Sequence, residues 1–548
     1  MKTLITTLNS KFIHTSLSLR LLYVASYKEH DVDFKEYTIK DSLNHIVEDI
    51  LSQNLDVVAF SCYIWNVEYI HEVCRMLKKR NPELIIVFGG PEVTYEASYF
   101  LNEYDVDYVI TGEGEVAFPA LLTALENHSH EHIFGVQTKD CIKNEIAVVD
   151  LDLVEKLDSP YTLPQDKENM SKRILYFESS RGCPFQCQYC LSSLEKGLRF
   201  FSQDYLDRQL EDICQSDVKT IKFLDRSFNA KADHAIHILD YIFKHYKPGQ
   251  QYQFEINADV LHQRIIDFIR DNAPKNLLRF EVGIQSTYEP TNRAVKRIQN
   301  FERLSDVVKQ LMNDGKCDLH LDLIAGLPYE SFERFAQSFD DVFAFRAKEL
   351  QLGFLKMLRG TSLRRDADDY GYTYQSYSPY EMIENKWLSA KDVENIHIAE
   401  DMLEKYWNSG RFVRTMNKVM DEQSSPFYFF YHLGVFYKDH GYKKMGYQLD
   451  ELFHYLDSYL QREDFHELLI LDYFSQFKVK PKKWYEPTLQ QQERKDVIRH
   501  LCERYELDPE LLFRYAIVEK LHRGYLVVIY KDYHCDMKIY NDGEVIKC

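Results

Sequence analysis

The sequence predicts an α/β protein of 548 residues. It should have an N-terminal doubly wound (flavodoxin/Rossmann-like) domain, a partial (β/α)6 barrel and a mainly helical C-terminal domain ending in a small hairpin. Three observations carry this reading. Short apolar runs alternate with helix-period stretches through the first ~130 residues. A second alternating series of six runs follows between residues 173 and 363. From residue 364 the pattern changes to helical stretches rich in Tyr, Phe and acidic residues, such as Lys391–Tyr406 and Thr488–Tyr505. The implied domains are 1–132, a hairpin and connector at 133–172, 173–363 and 364–548.

In the first domain the strand candidates are Leu4–Thr7, Val57–Phe60, Leu84–Phe88 and Tyr108–Ile110, with helix patterns at Val67–Leu77 and Val116–Leu125. Ligands of such sheets bind beyond the carboxyl ends of the strands. The segments there are Asn9–His14, Ser61–Asn66, Gly89–Glu92 and Thr111–Glu115, rich in Gly, Ser, Asn and acidic residues. Residues 133–149 read as a hairpin turning near Lys143-Asn144, and 150–172, with Pro160 and Pro164, as a connector.

The barrel strands are expected at Ile174–Phe177, Thr220–Leu224, Gln253–Ile256, Leu278–Ile284, Leu319–Ile324 and Leu350–Met357. Leu206, Leu210 and Ile213 share a helix face, as do Leu304, Val307, Val308 and Leu311, with Gly315 as a stop. The stripe Phe332, Phe335, Phe339 and Phe343 reads as core. Six units make a barrel shorter than the eight-unit form. At the chain end, Gly524–Cys548 alternates like strands, with Asn541-Asp542-Gly543 as a turn.

The balance of 67 basic and 86 acidic residues gives a net charge of −19, which argues against broad binding to nucleic acid or anionic lipid. No apolar run of ~18 residues is present, so no membrane span is expected. The N-terminus lacks the features of a signal peptide, which makes the cytoplasm the expected compartment. Eight of the eleven cysteines are scattered (Cys62, Cys74, Cys141, Cys214, Cys317, Cys502, Cys535 and Cys548) and read as small buried hydrophobes.

The other three form Cys183-Pro-Phe-Gln-Cys187-Gln-Tyr-Cys190, in a loop just after a barrel strand. Three thiolates at this spacing can converge on a soft metal centre, either an iron–sulfur cluster or zinc. A structural zinc site normally takes a fourth Cys or His close by, and no His follows within 40 residues of Cys190. A [4Fe–4S] cluster on three cysteines keeps one iron position open.

With Tyr189 before the third cysteine, the motif resembles that of the radical S-adenosylmethionine (radical SAM) enzymes. The resemblance implies that Cys183, Cys187 and Cys190 ligate and activate the cluster. It also implies that the open iron holds S-adenosylmethionine (SAM), which is cleaved to a 5′-deoxyadenosyl radical. It points to Tyr189, Asp225, Glu255, Gln285, Ser286 and Gly326, at or near the carboxyl ends of the strands, as SAM contacts. The sequence departs from the family at Asp225, which stands where a Gly-Gly-Glu run is usual.

The first domain resembles the cobalamin-binding domains that precede such barrels, through Phe88-Gly89-Gly90-Pro91-Glu92, Thr111-Gly112-Glu113-Gly114-Glu115 and Ser61-Cys62-Tyr63. This implies cobalamin contacts at Ser61, Tyr63, Gly89, Gly90, Pro91, Glu92, Gly112 and Gly114, with the glycines letting backbone approach the nucleotide tail. The pattern Asp-x-His-x-x-Gly is absent, which implies a cobalt whose lower face lacks a protein ligand; His14 lies nearby but off that spacing, as a candidate ligand or else a helix-start or surface histidine. Trp65 reads as core rather than as a cover for the corrin.

The resemblance covers residues ~1–360. It implies a cobalamin-dependent enzyme that methylates an unactivated carbon of an unknown substrate, fed by an electron donor such as flavodoxin or ferredoxin. A non-methylating rearrangement or cyclisation and a non-catalytic cobalamin or redox sensor are the alternatives. The C-terminal domain resembles a domain of unknown function.

Overall fold

The computed structural model describes all residues except Lys196, Asp542, Gly543 and Cys548. The turn expected at Asn541-Asp542-Gly543 and the scattered Cys548 therefore lie partly or wholly outside the described residues. The chain forms two compact units, which divide near Val393.

The first sheet holds β1 (Thr3–Asn9), β2 (Val32–Thr38), β3 (Val57–Ser61), β4 (Ile85–Gly89), β5 (Tyr108–Ile110) and β6 (Val136–Gln137), in the order β2-β1-β3-β4-β5-β6. The first five are parallel and β6 is antiparallel to β5. This is the flavodoxin-like order, whose switch point lies between β1 and β3. All seven side chains of β1 are buried. Two apolar clusters cover the two faces, one around Val58, Phe60, Ile86 and Phe88, the other around Ile5, Ala59, Val87 and Phe118.

The sequence reading missed β2, whose Lys35 and Glu36 interrupt the apolar run expected of an inner strand; as the sheet edge, it needs only one covered face. The hairpin expected near Lys143-Asn144 is also corrected. The turn falls at Thr138–Cys141, β6 pairs with β5, and Ala147 bridges Gly112.

The chain continues with β7 (Ile174–Phe177), β8 (Ser180–Arg181), β9 (Arg199–Phe200), β10 (Thr220–Phe223), β11 (Gln251–Ile256), β12 (Leu278–Gln285), β13 (Cys317–Ala325) and β14 (Glu349–Phe354). Six of these form an open barrel sheet in the order β14-β13-β12-β11-β10-β7, while β8 and β9 pair as a separate ribbon. Phe177, Phe223, Phe254 and Phe280 stack in a ladder, with centroids 4.4–5.9 Å apart between neighbouring strands. The alternation of strand side chains puts Tyr176, Lys222, Glu255 and Glu281 on the opposite, polar face. The segment 364–393, counted with the C-terminal domain in the sequence reading, belongs to this compact unit. Within it Tyr372 donates to the Gly326 carbonyl (2.8 Å) and Met382 N–H to Leu355 O (2.9 Å).

The second unit is helical from Glu394 to Tyr515, with breaks. It ends in an antiparallel sheet of β17 (Ala516–Leu521), β18 (Gly524–Lys531), β19 (His534–Asn541) and β20 (Glu544–Lys547), counting β15 (Thr373–Tyr374) and β16 (Met382–Glu384) before it. Buried Asp472 caps one of its helices, accepting from Thr415 N (2.9 Å) and Thr415 Oγ1 (2.8 Å). No described helix is long and apolar enough to cross a membrane.

Candidate functional site

The cysteine loop follows the β8 ribbon and is held from several sides. Buried Asp225, just past β10, accepts from Ser179 N (3.0 Å), Ser179 Oγ (2.6 Å) and Ser180 Oγ (2.5 Å). The sequence reading gives Asp225 to SAM, but its carboxylate is spent on fixing the segment that leads into Cys183. Arg181, two residues before Cys183, is nearly buried among Glu115 (2.6 Å), Glu178 (2.6 Å) and Glu113 (3.4 Å). Arg199 pairs with Glu113 and donates to Val149 O (2.7 Å). The loop Thr111–Glu115 beyond β5 is thereby tied to the ribbon that carries the cysteine loop.

Burial pushes the Cys183 thiol up, and the nearby Cys190 and Cys187 sulfurs add to the rise. Among the described residues no group of three His, Cys, Asp or Glu side chains is placed to share a single ion. Three thiols on one loop are the ligand set of a [4Fe–4S] cubane with one open iron.

Arg297, which the sequence reading missed, lies behind this loop. Its guanidinium reaches Tyr189 Oη (3.4 Å), Asn257 Oδ1 (3.4 Å), Cys187 Sγ (4.0 Å) and the Gly283 carbonyl. Only its place in a basic stretch after β12 could have signalled it.

Of the other expected SAM contacts, Gln285 ends β12 at φ 68°, and its amide lies across the face of Gly283, where a Cβ would sit 2.4 Å from Nε2. Its Oε1 is buried without a partner, an acceptor that fits the ribose hydroxyls or amino group of SAM. Ser286 is fully buried and donates to Glu330 (2.8 Å), so its hydroxyl is taken. Gly326 lies against Met382, and its carbonyl accepts from Tyr372 and Asn385. Glu255 stands in the barrel lumen; burial raises its pKa and Arg226 opposes that rise. Beside it, Lys222 pairs with Glu281 at 2.8 Å.

At the first sheet, Asn66 organises the switch point, donating to Thr7 Oγ1 (3.1 Å), Leu8 O (3.2 Å) and Ser61 O (3.2 Å). Register sets Ser61 beside Gly89. The hydroxyls of Ser61 and Tyr63 meet at Ser18 Oγ (3.1 and 3.2 Å). Phe12, Ile13, Trp65 and Val116 stand exposed on the loops around this edge. The core reading of Trp65 is corrected: its side chain is 43% exposed and stacks on Tyr63 at 4.4 Å, because Asn66, not Trp65, turns inward. Hydroxyls rimmed by exposed apolar side chains suit a corrin, whose broad macrocycle carries amide arms.

Gly90 and Gly112 approach backbone closely, but that backbone is the domain's own. A Cβ would meet Cys62 O at 2.6 Å and Ala147 O at 2.2 Å, at φ 102° and 91°. Gly114 packs on Leu22, Gly89 has ordinary contacts and Pro91 is exposed. Glu92 turns inward, accepting from Tyr380 (2.6 Å) with Arg359 at 3.5 Å, and burial pushes it up to about 7. His14 points to the barrel: its Nδ1 meets the Tyr176 hydroxyl at 2.8 Å, and its backbone bridges Ile174. Burial, helped by Lys11, Lys222 and Arg173, lowers its pKa.

Residues 4–122 match the B12 binding domain, 177–342 the radical SAM superfamily and 368–541 a protein family of unknown function, DUF4080. The cobalamin-dependent radical SAM methyltransferase TokK of Streptomyces tokunonensis is 27% identical over 58% of this chain and 47% of its own length. The anaerobic magnesium-protoporphyrin IX monomethyl ester cyclase of Synechocystis sp. is 34% identical over 22% of this chain and 26% of its own. The chain thus spans about half or less of these relatives. The cobalamin-dependent SAM radical enzyme OxsB, with aqua-cobalamin bound, superposes with a TM-score of 0.59 at 14% identity, covering 92% of this chain and 80% of that one. The chain is therefore a radical SAM protein with a B12-binding domain before its barrel and a DUF4080 domain after it, and its cofactors are cobalamin, SAM and a [4Fe–4S] cluster.

Proposed function

We propose that this chain is a cobalamin-dependent radical SAM methyltransferase that methylates an unactivated carbon of its substrate. The observation that carries the reading is the tie between the two cofactor regions within one compact unit. Arg181 and Arg199 join the loop beyond β5 to the cysteine ribbon, and His14 joins the loop beyond β1 to Tyr176 of the barrel. The methyltransferase relative supports the reaction class.

When bound, the cluster and SAM supply one-electron cleavage chemistry, and cobalamin supplies a methyl carrier. In this reading Cys183, Cys187 and Cys190 hold the cluster. Gln285 Oε1 and Glu255 receive the hydroxyl or amino groups of SAM, and Arg297 braces Tyr189 against Cys187. The hydroxyls of Ser61 and Tyr63, with Trp65 beside them, receive cobalamin. Tyr176, Lys222 and Glu281 line the lumen, and this ionised lining favours a polar substrate over a hydrocarbon.

The test incubates anaerobically reconstituted protein with polar candidate substrates and methyl-labelled SAM. Labelled product with S-adenosylhomocysteine and 5′-deoxyadenosine is expected. An altered product without label means a rearrangement or cyclisation instead. No SAM cleavage by cluster-replete protein under strong reductant leaves only the sensor reading.

A further inference from the structure

The loop that backs the cysteine motif is strongly cationic. Residues 293–303 hold Arg293, Lys296, Arg297 and Arg303 against one anion, Glu302, in a chain whose net charge is −19. The loop touches the cysteine motif directly, since Gln188 N–H donates to the Val295 carbonyl at 2.9 Å. Its consecutive side chains divide the work. Arg297 turns inward to Cys187 Sγ and Tyr189, while Ile298 turns outward and is 87% exposed. Lys296 is exposed beside it, and Arg293, also exposed, pairs with Glu289 just before the loop. On the other side of Gln188, Leu363 N–H donates to its carbonyl at 3.1 Å, which brings up Arg365, whose side chain is 73% exposed.

We infer that this surface, centred on Ile298 and rimmed by Lys296 and Arg303, docks an acidic one-electron carrier of the flavodoxin class. The inference rests on the function proposed above. A transient redox interface needs a small apolar centre, a complementary charged rim and a short path to the acceptor. The loop offers each of these, and the path runs from Ile298 through its neighbour Arg297 to Cys187. A net of +3 over eleven residues is too little to hold a nucleic acid against the charge of the whole chain. One electron crosses the interface. The carrier's reduced flavin loses it, the oxidised cluster gains it, and no bond is made or broken.

The experiment follows cluster bleaching in reconstituted protein, with reduced flavodoxin or with dithionite as the electron source. Ile298→Asp and Lys296→Glu lie at exposed positions. Each should slow reduction by flavodoxin about tenfold or more and leave the dithionite rate within about twofold of the unmodified protein. The flavodoxin rate of the unmodified protein should fall as salt is raised. Unchanged flavodoxin rates in both variants, or equal slowing with both reductants, overturn the inference. A protein whose cluster cannot be reconstituted, or that dithionite does not reduce, overturns the function proposed above and this inference with it.

Discussion

The cysteine loop and the edge of the first sheet are built by opposite means. The cysteine loop is over-determined by polar anchors: Asp225 beneath it, Arg181 before it, and Arg297, Val295 and Leu363 around it. The sheet edge is anchored from beneath, by Asn66 and by the ion pairs of Glu113 and Glu115, while its rim exposes Phe12, Ile13, Trp65 and Val116. A cluster gripped by three thiolates needs its ligands in place beforehand, because misplaced sulfurs cannot share one cubane. A broad macrocycle needs an open face with an apolar margin, which exposed side chains such as Phe12 and Trp65 can supply. Damage to the first region should therefore be severe and specific, and damage to the second graded.

The largest effect is expected at the ligands. Cys187→Ala should abolish SAM cleavage, by at least about a thousandfold, and lower the iron content. Cobalamin bound per chain, read from the visible spectrum, should stay within about twofold of the unmodified protein. Loss of both cofactors would show that the two regions fold as one and would remove the contrast.

Next comes Arg181→Gln. It leaves Glu113, Glu115 and Glu178 facing one another beside the cysteine loop, with Arg199 as their remaining cation. Removing one partner of a buried charged cluster typically costs about 3–5 kcal/mol. Chemical denaturation should show a loss of that size. Arg199→Gln, at a more exposed position, should lose less; equal losses would break the argument from burial.

Much of this architecture was legible in the sequence because backbone rules are local. Strand alternation, the helix stripes and the three-cysteine spacing each show within a few residues, and the strands around Val57, Thr220 and Leu278 fall close to where periodicity puts them. The side chains around the site were less legible, since a polar residue at a strand end looks the same whether it faces a ligand or a neighbour. Asp225, Ser286 and Glu92 are engaged by Ser179, Glu330 and Tyr380, partners 46, 44 and 288 residues away. Arg297 and Asn66 escaped notice for the same reason, because their roles exist only once distant loops meet. Gly112 has a close backbone neighbour in Ala147, and spacing cannot tell such a neighbour from a ligand.

Glu92 sharpens the comparison, being a buried titratable group behind the sheet edge. Burial outweighs its Tyr380 hydrogen bond and the Arg359 and Arg364 charges, so its folded pKa is raised from 4.5 to about 7. The folded protein therefore holds this proton more tightly than the unfolded chain. The contribution is fully present below about pH 4.5 and is lost as pH rises through 7. At about 1.4 kcal/mol per unit, the loss is on the order of 3 kcal/mol. Glu92→Gln keeps a neutral group of the same shape and should flatten the fall in thermal midpoint between pH 5 and 7.5. An unchanged pH slope in the variant would mean that other groups set it.

The smallest effect belongs to Trp65, where the argument for an open apolar face is most exposed to failure. Its ring is 43% exposed and stacks on Tyr63 with the planes 7° apart, so truncation removes one surface stack and leaves the buried Asn66 hub intact. Stability should change by no more than about 1 kcal/mol, since an aromatic pair is worth roughly 0.5–1.5 kcal/mol even when well packed. If the indole lines the corrin site, Trp65→Ala should weaken hydroxocobalamin binding about three- to tenfold, and Trp65→Phe should recover most of it. Titration by visible absorbance measures both. An affinity unchanged in Trp65→Ala would move the corrin away from this side of the switch point and leave the hydroxyls of Ser18, Ser61 and Tyr63 without the apolar wall that distinguishes this edge from the cysteine loop.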